Sequence, residues 1–307
     1  MILNILFIVI GIVLVLWGAD RLTDGAVAVA EKMKMPQIVI GLTIVAMGTS
    51  MPEFCVSLIS ALKGTSDLAV GNIVGSNIFN TLLIVGVSAL VAPMSIMKTT
   101  VRKDIPFALV ASALLLIMCL DEDISRIDAA ILFVMFLIFM YITLRGAKAQ
   151  GTDLEEKEKK PMATWLSVVW ILVGLACLIG GSNLFVDGAT AVATKLGVSE
   201  AVIGLTIVAG GTSLPELATS VVSARKGNSG IAIGNVLGSN VFNILAILGL
   251  TGVISPMTLK GITMTDLSMM VISIILIWLF SFTKYKIERW EGAILTVVFV
   301  GYIYSLL

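Results

Sequence analysis

A thirteen-residue block occurs twice in this chain. Gly41–Glu53 reads GLTIVAMGTSMPE and Gly204–Glu216 reads GLTIVAGGTSLPE, with eleven identities. At the same offset of 163 residues, Gly71–Asn80 (GNIVGSNIFN) matches Gly234–Asn243 (GNVLGSNVFN), and Asp24-Gly25-Ala26 matches Asp187-Gly188-Ala189. A constant offset leaves no room for an insertion between the matched blocks. The chain therefore reads as one folding unit written twice, and its fold has to accommodate that duplication.

The solvent for this duplicate is lipid. Hydrophobic residues make up 58% of the 307 and charged residues 13%, about half the share of a soluble domain, roughly 25%. A membrane span needs about 20 mostly apolar residues. Polar breaks leave ten such segments: 2–30, 36–62, 67–92, 105–120, 126–145, 164–193, 199–224, 230–255, 266–283 and 288–306. The one soluble-looking stretch is Arg145–Pro161 (RGAKAQGTDLEEKEKKP). It suggests an N-terminal five-helix repeat over 1–146, a linker over 147–161 and a C-terminal five-helix repeat over 162–307. Five is odd, so the second repeat enters the membrane from the side opposite to the first. The expected fold is an all-α membrane protein of ten transmembrane helices in two inverted five-helix repeats, a transporter architecture with its site near the midplane.

Lys and Arg set the orientation, because cytoplasmic loops collect them. With the N-terminus outside, fifteen fall in the inside loops, against Lys63, Arg126, Lys195 and Lys260 outside. Both termini are thus expected outside and the linker in the cytoplasm. Met1 leads straight into an apolar segment with no basic region and no A-x-A cleavage site, which reads as a retained first helix.

Composition also excludes function classes. Twenty Lys and Arg balance twenty Asp and Glu, so no basic face exists for nucleic acid. The absence of histidine removes Ser-His-Asp and Cys-His triads and HExxH zinc sites. Cys55, Cys119 and Cys177 stand far apart in apolar stretches and read as small buried hydrophobes. No nucleotide-binding loop is present. The chain reads as a non-enzyme.

Glu53 and Glu216 fall about midway along their spans, where an insertion cost of at least ~2.5 kcal/mol marks a carboxylate as functional. Pro52 and Pro215 precede them, and each deletes a helical donor and clashes with the carbonyl four residues back, at Gly48 and Gly211. The hydroxyls of Thr49, Ser50, Thr212 and Ser213 stand beside these breaks. In the second block Ser76 and Asn80 lie at i and i+4 on one helical face, repeated as Ser239 and Asn243. A ligand set made only of oxygens suits hard cations such as Ca²⁺, Na⁺ or Mg²⁺. Two ionised carboxylates neutralise one Ca²⁺ or two Na⁺, and mutually exclusive occupancy is the minimum for exchange.

Other polar groups have double readings. Asp20, Arg21, Asp24 and Asp187 lie in the first helix of each half, with Asn183 in the repeat position of Asp20. They read either as an access path or, for Arg21 and Asp24, as a helix pair at i and i+3. Asp121-Glu122-Asp123 with Asp128 reads as a solvated turn. Gly71-xxx-Gly75 and Gly234-xxx-Gly238 read as close-packing motifs.

At the two doubled blocks the sequence resembles the sodium/calcium exchanger branch of the calcium:cation antiporter superfamily. Paired alpha repeats of that branch carry G-[ST]-S-x-P-[ED] followed by GNxxGSNxxN-type helices. The resemblance covers both repeats and the ten-helix layout. It implies that spans 2, 3, 7 and 8 enclose the ions while spans 1 and 6 slide past them. Residue by residue, it implies Glu53 and Glu216 as central ligands shared by Ca²⁺ and Na⁺, with Thr49, Ser50, Thr212, Ser213, Ser76, Ser239, Asn80 and Asn243 around them. Backbone carbonyls of Ala46 and Ala209 would complete flanking sodium sites. Potassium-dependent relatives have Asp where this chain has Asn243, which argues against potassium dependence. The resemblance further implies a prokaryotic plasma (inner) membrane location, no cofactor, Ca²⁺ and Na⁺ as transported ions, and a monomer whose partners are the bilayer and small inorganic cations.

The expected function is secondary Na⁺/Ca²⁺ antiport by alternating access. A proton/calcium exchanger of the same superfamily and, from another class, a passive cation channel are the alternatives. An intramembrane aspartyl protease fails on residue type, since neither glutamate stands in a YD or GxGD context.

Overall fold

The computed structural model describes residues 1–149, 162–197, 209–259 and 261–306, without the side chains of 148, 149 and 209. The first half contains α1 (Ile2–Lys32), α2 (Gln37–Ile40), α3 (Ala46–Thr49), α4 (Met51–Leu62), α5 (Ser66–Ile78), α6 (Val85–Val91), α7 (Ile105–Met118) and α8 (Arg126–Ala149). The second contains α9 (Thr164–Lys195), α10 (Ala209–Thr212), α11 (Leu214–Arg225), α12 (Ser229–Val241), α13 (Gly249–Ile254), α14 (Met264–Ser281) and α15 (Arg289–Leu306). Residues 41–45 join α2 to α3 in π-helical geometry, as 79–84 join α5 to α6 and 242–248 join α12 to α13.

A chain in hydrocarbon must satisfy its backbone polar groups internally, which leaves the helix as the available local structure. Among the described residues, seven helices are long and apolar enough to cross a membrane, or eight with the bent pair Gln37–Thr49 and Met51–Leu62 taken as one span. Part of the expected seventh span, residues 199–208, lies outside the described residues, including Gly204–Val208 of the second motif. α15 opens on Arg289 and Glu291, which makes its first turn polar. α8 runs on to Ala149, past the expected repeat boundary at 146, because Arg145–Ala149 contains no proline and Arg145 bonds back to Tyr141 one turn earlier.

Glycine sets the interhelical distances. α1 and α9 lie antiparallel in backbone contact: Gly11 meets Gly181, Gly18 meets Gly174, and a Cβ on Gly18 would lie 2.8 Å from the Gly174 carbonyl oxygen. Their outer faces present rows of exposed apolar side chains such as Ile5, Val9, Ile12 and Leu16. α12, by contrast, is the centre of the molecule, with residues 231–241 all buried. Gly234 and Gly238 let it touch the 41–45 turn, and a Cβ on Gly234 would lie 2.6 Å from the Ile38 carbonyl oxygen. The close-packing reading therefore describes Gly234-xxx-Gly238. Gly71 meets only the Ile262 side chain among the described residues.

Two short antiparallel strand pairs tie the halves together. Met94–Ser95 pairs with Lys286–Ile287, and Asp123–Ile124 pairs with Met257–Thr258. Shifting one pair by 163 residues produces the other. The flanking bonds repeat in the same way: Ile96 donates to the Tyr285 carbonyl and Leu259 to that of Glu122, and both acceptor residues have positive φ. The acidic turn thus serves as a strand connection, with Asp128 bonded to Ser125.

Candidate ion-binding site

Each glutamate sits in the first turn after a helix break. Ser50 leaves helical geometry at φ −83°, ψ 10°, and Ser213 at φ −91°, ψ 8°. Proline follows two residues later in both segments, at a first-turn position where its missing N–H costs nothing. The first break bends its span by 48°. Glu53 and Glu216 are both fully buried.

The shortest bond to each carboxylate comes from the other half. Ser50 Oγ donates to Glu216 Oε1 at 2.8 Å, and Ser213 Oγ donates to Glu53 Oε1 at 2.9 Å. Ser76 lies 3.5 Å from Glu53 Oε1 and 3.2 Å from Ser213 Oγ. The hydroxyls of Thr49 and Thr212 stand near Glu216 and Glu53 respectively. Ala46 is buried, and its carbonyl already accepts from the Ser50 N–H at 3.0 Å and lies 3.3 Å from Thr49 Oγ1. Ala209 begins α10, and its side chain is outside the described residues.

Asn80 and Asn243 both fall in the π-helical turns, where the widened backbone turns side chains away from the regular helical face. The amide of Asn80 donates to Asn240 Oδ1 at 3.2 Å and that of Asn243 to Asn77 Oδ1 at 3.1 Å. Their own carbonyl oxygens remain unpartnered. Buried side-chain oxygens without a protein hydrogen-bond partner include Glu53 Oε2, Glu216 Oε2, Asn80 Oδ1, Asn243 Oδ1 and Ser239 Oγ. A buried acceptor left without a donor costs about 1–3 kcal/mol, and more when charged. All five belong to residues expected as ligands, and oxygen acceptors of this kind suit a hard cation.

Sequence reasoning missed the asparagines that hold this arrangement. Asn72 donates to the Glu53 carbonyl at 3.3 Å and to Ser57 Oγ at 3.0 Å; Asn235 repeats both bonds to Glu216 and Ser220, at 3.2 and 3.0 Å. Thr49 Oγ1 lies 3.1 Å from Asn235 Oδ1, so its one proton goes either to that oxygen or to the Ala46 carbonyl. Asn77 and Asn240 link the two π-helical turns. The available signal was their place in the doubled GNxxGSN block, where only Ser and the last Asn were singled out.

The family model "Sodium/calcium exchanger protein" matches residues 3–145 and 166–307. The chain belongs to the sodium/calcium exchanger family. The sodium/calcium exchanger MaX1 of Methanosarcina acetivorans is 32% identical, over 98% of this chain and 97% of its own length. The putative antiporter CaxA of Alkalimonas amylolytica is 39% identical, over 100% and 99%. A solved structure of the sodium-calcium exchanger NCX_Mj, soaked with Na⁺ and Sr²⁺, superposes with a TM-score of 0.87 at 31% identity, over 100% of this chain and 99% of that one. This exchanger is accordingly an all-helical, multi-pass membrane transporter of small cations, a Ca²⁺ antiporter.

Proposed function

We propose that this exchanger moves Ca²⁺ against Na⁺ through one site built by Glu53 and Glu216. The observation that carries the reading is the crossed pair of bonds from Ser50 to Glu216 and from Ser213 to Glu53, with one oxygen of each carboxylate left for an ion. In this reading Glu53 and Glu216 are the shared ligands. Thr49, Ser50, Thr212, Ser213, Ser76, Ser239, Asn80 and Asn243 surround them, and the carbonyls of Ala46 and Ala209 flank the site. The Ala46 carbonyl becomes a ligand only when the Thr49 hydroxyl turns away from it. Two carboxylates neutralise one Ca²⁺ or two Na⁺, so the ions exclude each other and transport is obligatory exchange.

The chain is read as ten spans in two inverted five-helix repeats, with both termini outside and the 147–161 linker in the cytoplasm. Support comes from the strand pairs and hydrogen bonds that recur at the 163-residue offset. α1 and α9, joined backbone to backbone, move as one body past the four spans around the glutamates, which exposes the site to each side in turn.

The test is ⁴⁵Ca²⁺ uptake into Na⁺-loaded proteoliposomes, with Na⁺ or choline outside and pH clamped by an ionophore. Uptake driven only by the outward Na⁺ gradient is expected. Uptake driven by a pH gradient with Na⁺ irrelevant would make the protein a proton/calcium exchanger. Flux needing no counter-ion gradient would make it a channel.

A further inference from the structure

The two halves match closely at the glutamates and differ along the approaches to them. Glu216, Thr219 and Ser223 stand at i, i+3 and i+7 on one face of α11, and all three are fully buried. Thr219 Oγ1 has no partner among the described protein atoms. Ser223 Oγ lies 3.0 Å from Thr23 Oγ1 on α1, itself fully buried. Just past the end of α11, Lys226 Nζ sits between Asp20 Oδ1 at 2.6 Å and Asp24 Oδ1 at 2.7 Å and also donates to the Asp20 carbonyl at 3.2 Å. The side chains of these three charged residues are about a third exposed. Arg21 pairs with the other oxygen of Asp20 and lies 3.7 Å from Asp24 and 5.2 Å from the Trp170 ring centre. Polar groups thus run from the buried carboxylate to the surface.

At the repeat-related positions this seam is less polar, although Ser60, Lys63 and Asp187 repeat Ser223, Lys226 and Asp24. Val56 stands for Thr219, Val186 for Thr23, Leu184 for Arg21 and Asn183 for Asp20. Val186 fills the notch at Gly211, where an added Cβ would collide with its Cγ2. Duplication alone would have made both seams alike.

We propose that the seam between α1 and α11 is the ion route to the face where α11 ends, and that Lys226 is a tethered cation closing its mouth. Its ammonium occupies the Asp20 and Asp24 carboxylates, and Ca²⁺ arriving from that face takes those carboxylates in its place before passing Ser223 and Thr219 to Glu216. This inference rests on the exchange reading above. Removing the plug removes a competitor on one side only, and the apparent affinity recovers the fraction of time the mouth was closed.

The test is the Ca²⁺ concentration for half-maximal exchange, measured separately at each face in right-side-out and everted vesicles. Lys226→Gln is expected to lower it roughly three- to tenfold at the α11-end face and leave the other face unchanged. Asp20→Asn with Asp24→Asn is expected to raise it at that face alone, and Lys226→Arg to keep wild-type values. The double aspartate variant gives the reading if Lys226→Gln fails to reach the membrane. Equal shifts at both faces, or no shift at either, would overturn the plug. The comparison uses whichever gradient drives uptake in the wild type, so a failure of sodium coupling leaves this test standing.

Discussion

The Ser50 hydroxyl donates a 2.8 Å hydrogen bond to Glu216, 166 residues further along the chain, and Ser213 returns the arrangement to Glu53 at 2.9 Å. Neither carboxylate is held by the serine at its own helix break. Each half therefore gives the shortest hydrogen bond to the other half's carboxylate, and Glu53 has a longer one, at 3.5 Å, from Ser76 in its own half.

Loss of either carboxylate is expected to end transport. Glu53→Gln and Glu216→Gln keep the side-chain volume and remove the charge that balances Ca²⁺. Each variant should yield a monodisperse peak in detergent and no ⁴⁵Ca²⁺ flux above empty liposomes. Flux at wild-type level in either would remove that residue from the site.

The crossed serines make a paired prediction. A hydrogen bond to a charged group is worth about 1.5–3 kcal/mol, so Ser50→Ala and Ser213→Ala should each weaken Ca²⁺ half-saturation by roughly tenfold or more. The loss in Ser213→Ala should be the smaller, because Ser76 stays 3.5 Å from Glu53 Oε1 while Ser239 Oγ has no partner. A loss in Ser213→Ala as large as that in Ser50→Ala, or larger, would contradict this.

Asn243 offers a change of ion preference. Its unpartnered Oδ1 lies in the π-helical turn at the site, and Asn243→Asp adds a third negative charge there without adding bulk. The dependence of flux on Na⁺, K⁺ and Ca²⁺ should shift. Identical ion dependence would place Asn243 outside the ligand set.

The packing of α12 can be tested apart from transport. A methyl at Gly234 meets the Ile38 carbonyl oxygen at 2.6 Å, and backbone on both sides cannot yield. Gly234→Ala should destabilise the protein by about 1–3 kcal/mol, read as a lower Tm in detergent. Gly301→Ala, where nothing among the described residues lies within 4 Å, should leave Tm unchanged or slightly raised.

Much of this was legible in the sequence because the information was local. A proline one residue before a buried glutamate announces a broken span, and the doubled block announces that there are two. The partners across the break were not legible, since nothing in GTSMPE says that Ser50 serves Glu216 instead of Glu53. The π-helical turns at 79–84 and 242–248 were invisible for a similar reason: their hydrophobic pattern fits an ordinary helix, and the extra backbone width depends on packing against neighbouring helices. Asn72 and Asn235 were passed over as part of a glycine motif, although their amides hold the glutamate-bearing turns in place. Arg21 and Asp24 read either as an access path or as a helix pair, and the residue that joins Asp24 to the end of α11, Lys226, is 202 residues away.

The central claim is that Ca²⁺ and Na⁺ compete for one pair of carboxylates. Calorimetric titration of Ca²⁺ into the purified exchanger at rising Na⁺ tests it most directly. The account predicts one Ca²⁺ per chain, with an apparent Kd that climbs steadily as Na⁺ is added. A Ca²⁺ affinity that stays constant across the Na⁺ series would contradict it, because the two ions would then occupy independent sites.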